Sequence, residues 1–288
     1  MRQILPILTV FAVSAVGQQS VTVERLAIPF GAGDKPSCVS TSEDGRLIAF
    51  QSRRADGKGG ADIWFSRFEN GRWSAPYNAG PGINTAANEV DGKLSADGKT
   101  MVFIRGVDFK KSSAIYISRF VNGQWTTAEQ IPDPISMPDT VQFGAVLSRD
   151  GRRLYFSSNR PGGAGSLDIY YSDRVDGKWA APVNLGPPLN TPEGDGDVAL
   201  GRDGNLIVLP SKRADSLGGT DLYLSRYAGN AWSEPVNMGP GINTPGDDSC
   251  PWLGYDGKTL YLNSTWNGMI AGKPGASAIF KITYPAGF

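Results

Sequence analysis

The sequence predicts an all-β fold, a five-bladed β-propeller of four-stranded antiparallel blades, from three observations. The dipeptide Asp-Gly begins at Asp44, Asp97, Asp150, Asp203 and Asp256, each 53 residues after the last and each between two short apolar runs. Behind every pair the same succession of strand and turn signals returns. The fifth copy stops one strand short, while a spare strand-like run stands near the start of the chain. Self-similarity at a fixed period signals an array of repeated units, and four short strands per unit describe a propeller blade.

The first two strands of each unit flank the Asp-Gly pair, as in Leu47 to Phe50, Thr100 to Phe103, Leu154 to Phe156, Leu206 to Leu209 and Leu260 to Leu262. Both central residues of such a hairpin are expected at positive φ. A third strand starts near Asp62, Ile115, Asp168, Asp221 and Ile279. A second turn follows at Asn70-Gly71, Asn122-Gly123, Asp176-Gly177 and Gly229-Asn230, and then a strand opened by Trp73, Trp125, Trp179 or Trp232. Pro76, Pro182 and Pro235 lie three residues into that fourth strand. Proline cannot donate to a ladder, so the strand is expected at a sheet edge. The recurring tryptophans read as packing residues rather than as a sugar platform.

The fifth unit ends after its third strand, at Tyr284, and Val21 to Ile28 is expected to supply its missing outer strand. Joining the termini closes the ring and removes an exposed edge. Cys38 and Cys250 each precede an Asp-Gly pair by six residues, so they hold one inner-strand position in blades one and five. These blades become neighbours only on closure, and a Cys38–Cys250 disulfide is expected there, two separate buried thiols being the alternative.

The 288 residues carry 28 basic and 28 acidic side chains, so the formal net charge is zero. Nothing here suggests a nucleic-acid partner, which would call for a basic surface. The chain has no histidine, which excludes His-based nucleophilic catalysis and removes the commonest zinc ligand. Residues 1–17 read as a secretory signal: Arg2 gives a positive start, Ile4 to Val16 is apolar, and the small residues Ala15 and Gly17 precede a cut before Gln18. The apolar run is too short to span a membrane, and no cysteine follows the cut to take a lipid. The expected mature protein is residues 18–288, a monomer in the periplasm or secreted.

Blade three reads Ser148-Arg149-Asp150-Gly151-Arg152-Arg153-Leu154-Tyr155-Phe156-Ser157-Ser158-Asn159-Arg160-Pro161-Gly162-Gly163 and then Asp168-Ile169-Tyr170. This resembles the WD40-like (PD40) repeat of bacterial periplasmic proteins, found in TolB-type propellers and beside OmpA-like peptidoglycan-binding domains. Blades one, three and four match it well, whereas two and five are degenerate. TolB-like proteins add an α/β domain and close six blades, so their partners do not transfer, nor does peptidoglycan anchoring. The resemblance implies a periplasmic or surface binding scaffold and supplies no catalytic residue.

Alternation along the inner strand is expected to turn three positions per blade toward the channel. Eight residues before each Asp stand Pro36, Glu89, Gln142, Asp195 and Asp248; six before, Cys38, Asp91, Gly144, Asp197 and Cys250; four before, Ser40, Lys93, Val146, Ala199 and Trp252. The channel mouth would then gather Glu89, Asp91, Asp195, Asp197 and Asp248, with Lys93 the evident counter-charge and Gln142 and Trp252 beside them. Converging carboxylates need compensation. A hard cation such as calcium, a cationic or polyhydroxyl ligand, and a glycosidase-like acid pair are three ways to supply it, and a water-filled channel is the plain alternative. Trp252 suits a sugar or cation as well as it suits space-filling.

Arg54, Arg160 and Arg213 precede Asp62, Asp168 and Asp221 by eight residues, and both partners vanish together in blades two and five, where Val107 and Trp266 replace Arg. Joint presence and absence across internal copies fits a structural salt bridge bracing a Gly-rich loop. The leading expectation is a non-enzymatic binding module with a protein or cell-envelope glycan ligand at an acidic channel mouth. The rivals are a glycan-cleaving enzyme and a purely structural docking subunit.

Overall fold

A computed structural model describes residues 8–14, 17–31, 33–265 and 278–288. Arg2 and Ala15 of the expected leader lie outside the described residues, as does Trp266. Five antiparallel blades surround one axis, as the repeat predicts. In blade one, Ser37–Thr41 pairs Leu47–Ser52, which pairs Asp62–Glu69. The outermost strand comes in two short pieces, Arg72–Trp73 and Tyr77–Asn78, both on Asp62–Glu69. The break falls at Pro76, and the same split recurs in blades two, three and four. A broken outer strand offers few free backbone groups in a row, which protects the edge from pairing with other chains.

The Asp-Gly hairpins are tighter in one respect than expected. Only the glycine takes positive φ, 65° at Gly45 and 70° at Gly151. The aspartate acts through its side chain: Asp44 Oδ1 accepts from Ser42 Oγ at 2.6 Å and from Arg46 N at 3.0 Å. Asp97 and Asp150 repeat this with Ser95 and Ser148. These serine hydroxyls and backbone N–H groups hold the three carboxyls below the usual carboxylate range. The second turns are the ones with two positive φ values, Asn70 at 53° and Gly71 at 74° for instance.

Blade five is completed by the start of the chain. Gly17–Arg25 pairs Ala278–Thr283, with Thr22 opposite Thr283 and Arg25 opposite Phe280. Lys281 Nζ reaches Glu24 Oε1 at 2.8 Å across this seam. The closing strand starts earlier than Val21 and ends before Ile28, but Leu26 N still bonds Ile279 O. Leu8–Ser14, within the expected leader, adds a further strand outside it. At the inner end of the same seam Cys38 and Cys250 form the expected disulfide, with Cα atoms 4.9 Å apart.

Both faces of the inner strands pack against neighbouring blades. Ala49, Ile63 and Phe65 of blade one meet Leu94, Met101 and Phe103 of blade two, all buried. Each such large side chain contributes roughly 1.5–3 kcal/mol on burial. The recurring tryptophans are half-buried against these cores, and Trp125 stacks on Phe65 of the preceding blade with centroids 5.7 Å apart. Antiparallel order puts the two hairpin turns of every blade on one side of the ring (the turn face). The Gly-rich loops and the links between blades lie on the other (the link face).

Candidate functional site

Each inner strand is interrupted at the axis. Register shifts fall between Ser37 and Ser40, Val90 and Lys93, Phe143 and Val146, and Ser249 and Trp252. The residue six before each Asp-Gly pair sits in this interruption with positive φ: Cys38 at 50°, Asp91 at 54°, Gly144 at 59°, Asp197 at 54° and Cys250 at 50°. An extra residue in one strand breaks the two-residue alternation. The three expected channel positions therefore do not share one direction, and the ring at the axis is made by these five bulge residues.

Together they plug the channel. The disulfide fills the side of blades one and five. Gly144 lies so close to blade four that a Cβ there would stand 2.4 Å from Asp197 Cα. Lys93 fills the remainder: its Nζ is 2.8 Å from Asp91 Oδ1 and 3.8 Å from Asp197 Oδ1, and its side chain is 1% exposed. The closer approach is off the hydrogen-bonding angle and is an ion pair only, since neither Nζ nor Oδ1 has an aligned partner. Burial works against the ammonium, but Asp197 and Asp91 outweigh it and hold Lys93 above the usual lysine range. Burial and the neighbouring Asp91 carboxylate push Asp197 up to about 7. Trp252 is buried against the plug, with Lys93 Nζ 5.8 Å from its ring centroid and its Nε1 donating to Thr41 Oγ1.

The remaining expected mouth residues are placed elsewhere. Glu89, Gln142, Asp195 and Asp248 are each 0% exposed and serve the links. Glu89 accepts from Thr85 N and Oγ1 and pairs with Arg105 at 2.8 Å. Asp195 accepts from Thr191 N and Oγ1 and from Ser211 Oγ. Asp248 accepts from Thr244 N and Oγ1, and burial pushes it up to about 6. Gln142 donates to Thr140 Oγ1. A carboxylate four residues after a threonine thus caps the link that delivers the inner strand in blades two, four and five. Among the described residues no three Cys, Asp or Glu side chains gather as a metal would require; between Asp91 and Asp197 the cation present is Lys93.

The expected Arg–Asp salt bridges are not formed, because the partners do separate work. Asp62 accepts from Lys58 N, Gly59 N and Asn78 Nδ2, clamping the Gly-rich loop; Asp168 and Asp221 repeat the pattern. Arg54 instead pairs with Asp34 and Asp56. Arg160 donates to Pro134 O and Ile135 O, and Arg213 to Pro188 O and Leu189 O, tying each loop to the link entering its own blade. In blade two Arg105 takes over this duty by donating to Ile83 O at 2.7 Å. Sequence comparison of the blades missed it because it stands two residues earlier than its counterparts.

No family model matches the chain, and no curated protein does. Solved structures do resemble it. TolB from Acinetobacter baumannii is 17% identical with a TM-score of 0.51 over 88% of this chain, which spans 55% of that protein. A putative TolB from Agrobacterium tumefaciens is 18% identical, TM-score 0.53, over 86% of this chain and 79% of its own. An α-L-arabinofuranosidase from Lactobacillus brevis is 15% identical, TM-score 0.58, over 88% of this chain and 93% of its own. At these identities the likeness is one of fold, and on that ground the chain is a five-bladed β-propeller with TolB-type propellers among its structural neighbours.

Proposed function

We propose that the chain is an exported, non-enzymatic binding or scaffold module. Its ligand, a protein segment or a cell-envelope glycan, engages the link face around the channel mouth. One observation carries this reading: the acidic groups near the axis are already spent. Glycoside cleavage needs two carboxyl groups free to face a sugar. Here Glu89, Asp195 and Asp248 are sealed against the links, and Asp91 and Asp197 share one buried lysine.

A second reading, glycan cleavage, is favoured by Asp197, whose proton is held up to about 7 with a second carboxylate at the same ammonium. Incubation of residues 18–288 with a panel of polysaccharides, peptidoglycan included, separates the two. Co-sedimentation and new reducing ends are measured on the same samples. The expected result is retention without release. Release that Asp197→Asn abolishes would make the chain an enzyme, and neither retention nor release would leave a purely structural subunit.

A further inference from the structure

A groove of about 1290 Å³ opens on the turn face and runs across blades two, three and four as far as Pro187 and Pro188 of the link between blades three and four. Its polar wall is rich in arginine, and the partners of those arginines decide what it can hold. Arg149 is engaged by Glu43, and Arg153 by both oxygens of Asp173. Asp97 and Asp150 are turned inward onto their own turns. That leaves Arg119, Arg152, Arg174 and Arg202 in the wall beside Asp203, with Arg174 donating to Gly177 O at 3.2 Å. Arg119 and Arg152 are exposed and make no ion pair within 4.0 Å among the described residues, the Asp150 carboxylate acting on Arg152 only at longer range, and Arg202 reaches only to 3.9 Å of Glu43. The apolar part of the wall includes Trp179 and Trp232, recurring packing tryptophans whose half-buried rings also meet Arg174 at 5.8 Å and Tyr227 at 5.2 Å and leave their remaining surface to the groove.

Free guanidinium groups offer paired donors to a carboxylate or phosphate. Indole faces suit the apolar side of a sugar ring. A chain of zero net charge, with Glu43, Asp173 and Asp203 set among these arginines, is a poor match for a long nucleic acid. We infer that this groove is a binding site for an anionic glycan, whose oxyanions are met by Arg119, Arg152 and Arg202 and whose sugar rings rest on Trp179 and Trp232. The arginines of this site stand on the turn face, away from the channel mouth, so its test is independent of the reading above.

Calorimetric titration of residues 18–288 tests the site with four probes of equal length: an oligogalacturonate, a phosphorylated oligomannoside, neutral cellohexaose and a single-stranded DNA hexamer. One or both anionic carbohydrates should bind at least tenfold more tightly than cellohexaose. Binding of only the first identifies carboxylate as the recognised group, and of only the second, phosphate. Arg119→Ala with Arg152→Ala should weaken that binding at least tenfold without lowering Tm, because neither guanidinium holds the fold. Arg46→Ala, at the repeat position of Arg152 but outside the groove, should change it less than twofold. The proposal is overturned if neither anionic carbohydrate binds, if cellohexaose binds as well, if DNA binds more tightly, or if Arg46→Ala costs as much as the double variant. Release of reducing ends would count against the binding-module reading alone, since the arginine dependence of affinity is read separately.

Discussion

Asp197 has no hydroxyl or amide aimed at its Oδ1, only the ammonium of Lys93 at 3.8 Å. Burial and Asp91 raise it to about 7, far above its value in an unfolded chain, so the folded state binds a proton that the unfolded state releases. By linkage the stability it contributes is full below pH about 4 and is lost as pH rises through about 7. Asp248, raised to about 6, acts with the same sign. Asp197→Asn, which keeps the shape and removes the ionisation, should therefore gain stability over the native protein at pH 8, on the order of a few kcal/mol, and little at pH 4. Urea denaturation at the two pH values checks this, and an equal change at both would show that the charge is not the cause.

At the scale of the element, the links repeat one clamp. Asn190 Oδ1 accepts from Ile169 N, and its Nδ2 donates to Ile169 O and Asn184 Oδ1; Asn84 and Asn243 do the same for their blades. Asn190→Ala leaves the Ile169 N–H and C=O buried without partners and should cost about 2–4 kcal/mol. Asn190→Ser should cost less, since in the link after blade two Ser136 Oγ already accepts from Ile115 N at 3.0 Å. Urea midpoints of the two variants rank them, and equal losses would argue against the hydrogen bond as the source.

These elements were legible in the sequence because turns and strand ends need particular residues at fixed offsets, and a 53-residue period exposes them. The inner strand was misread for a physical reason. Its bulge adds a residue, so parity reverses midway, and positions eight and six before Asp do not share a face. The signal was present in the types at the bulge: Asp, Gly, Asp and two Cys, with glycine and aspartate among the residues that tolerate a left-handed backbone. The joint change of Arg and Asp in blade two was likewise real, but it recorded two separate anchors, one moved to Arg105 and one lost, rather than one salt bridge.

Across the whole molecule, zero net charge hides two unlike sides. On the turn face Arg46, Lys99, Arg152 and Lys258 each follow an Asp-Gly pair, and Arg67, Arg119, Arg226 and Lys281 stand near the ends of third strands. The link face carries Asp34, Asp56, Asp108, Asp139, Asp215 and Asp247 on its loops. Rigidity between the two sides depends on ring closure, which is fastened at the axis by the disulfide and at the rim by the Gly17–Arg25 strand. Cys38→Ser with Cys250→Ser should lower stability by about 2–5 kcal/mol while leaving the far-UV dichroism of a propeller, because the rim seam persists. Non-reducing peptide mapping of the native protein should return one linked pair, and reduced native protein should unfold at the midpoint of the double variant.

The seam also sets an order of events. The strand that seals the rim precedes all five blades in the chain, and its partner, Ala278–Thr283, follows the other four. Until that partner emerges, Val21 and Val23 have no ladder on their ring side. Four blades can form behind them, each complete within its own stretch of chain, but the circle stays open until Ala278–Thr283 is made. A chain stopped before Ala278 would leave an open crescent, with blade five a hairpin and the Gly17–Arg25 strand unpaired on its ring side.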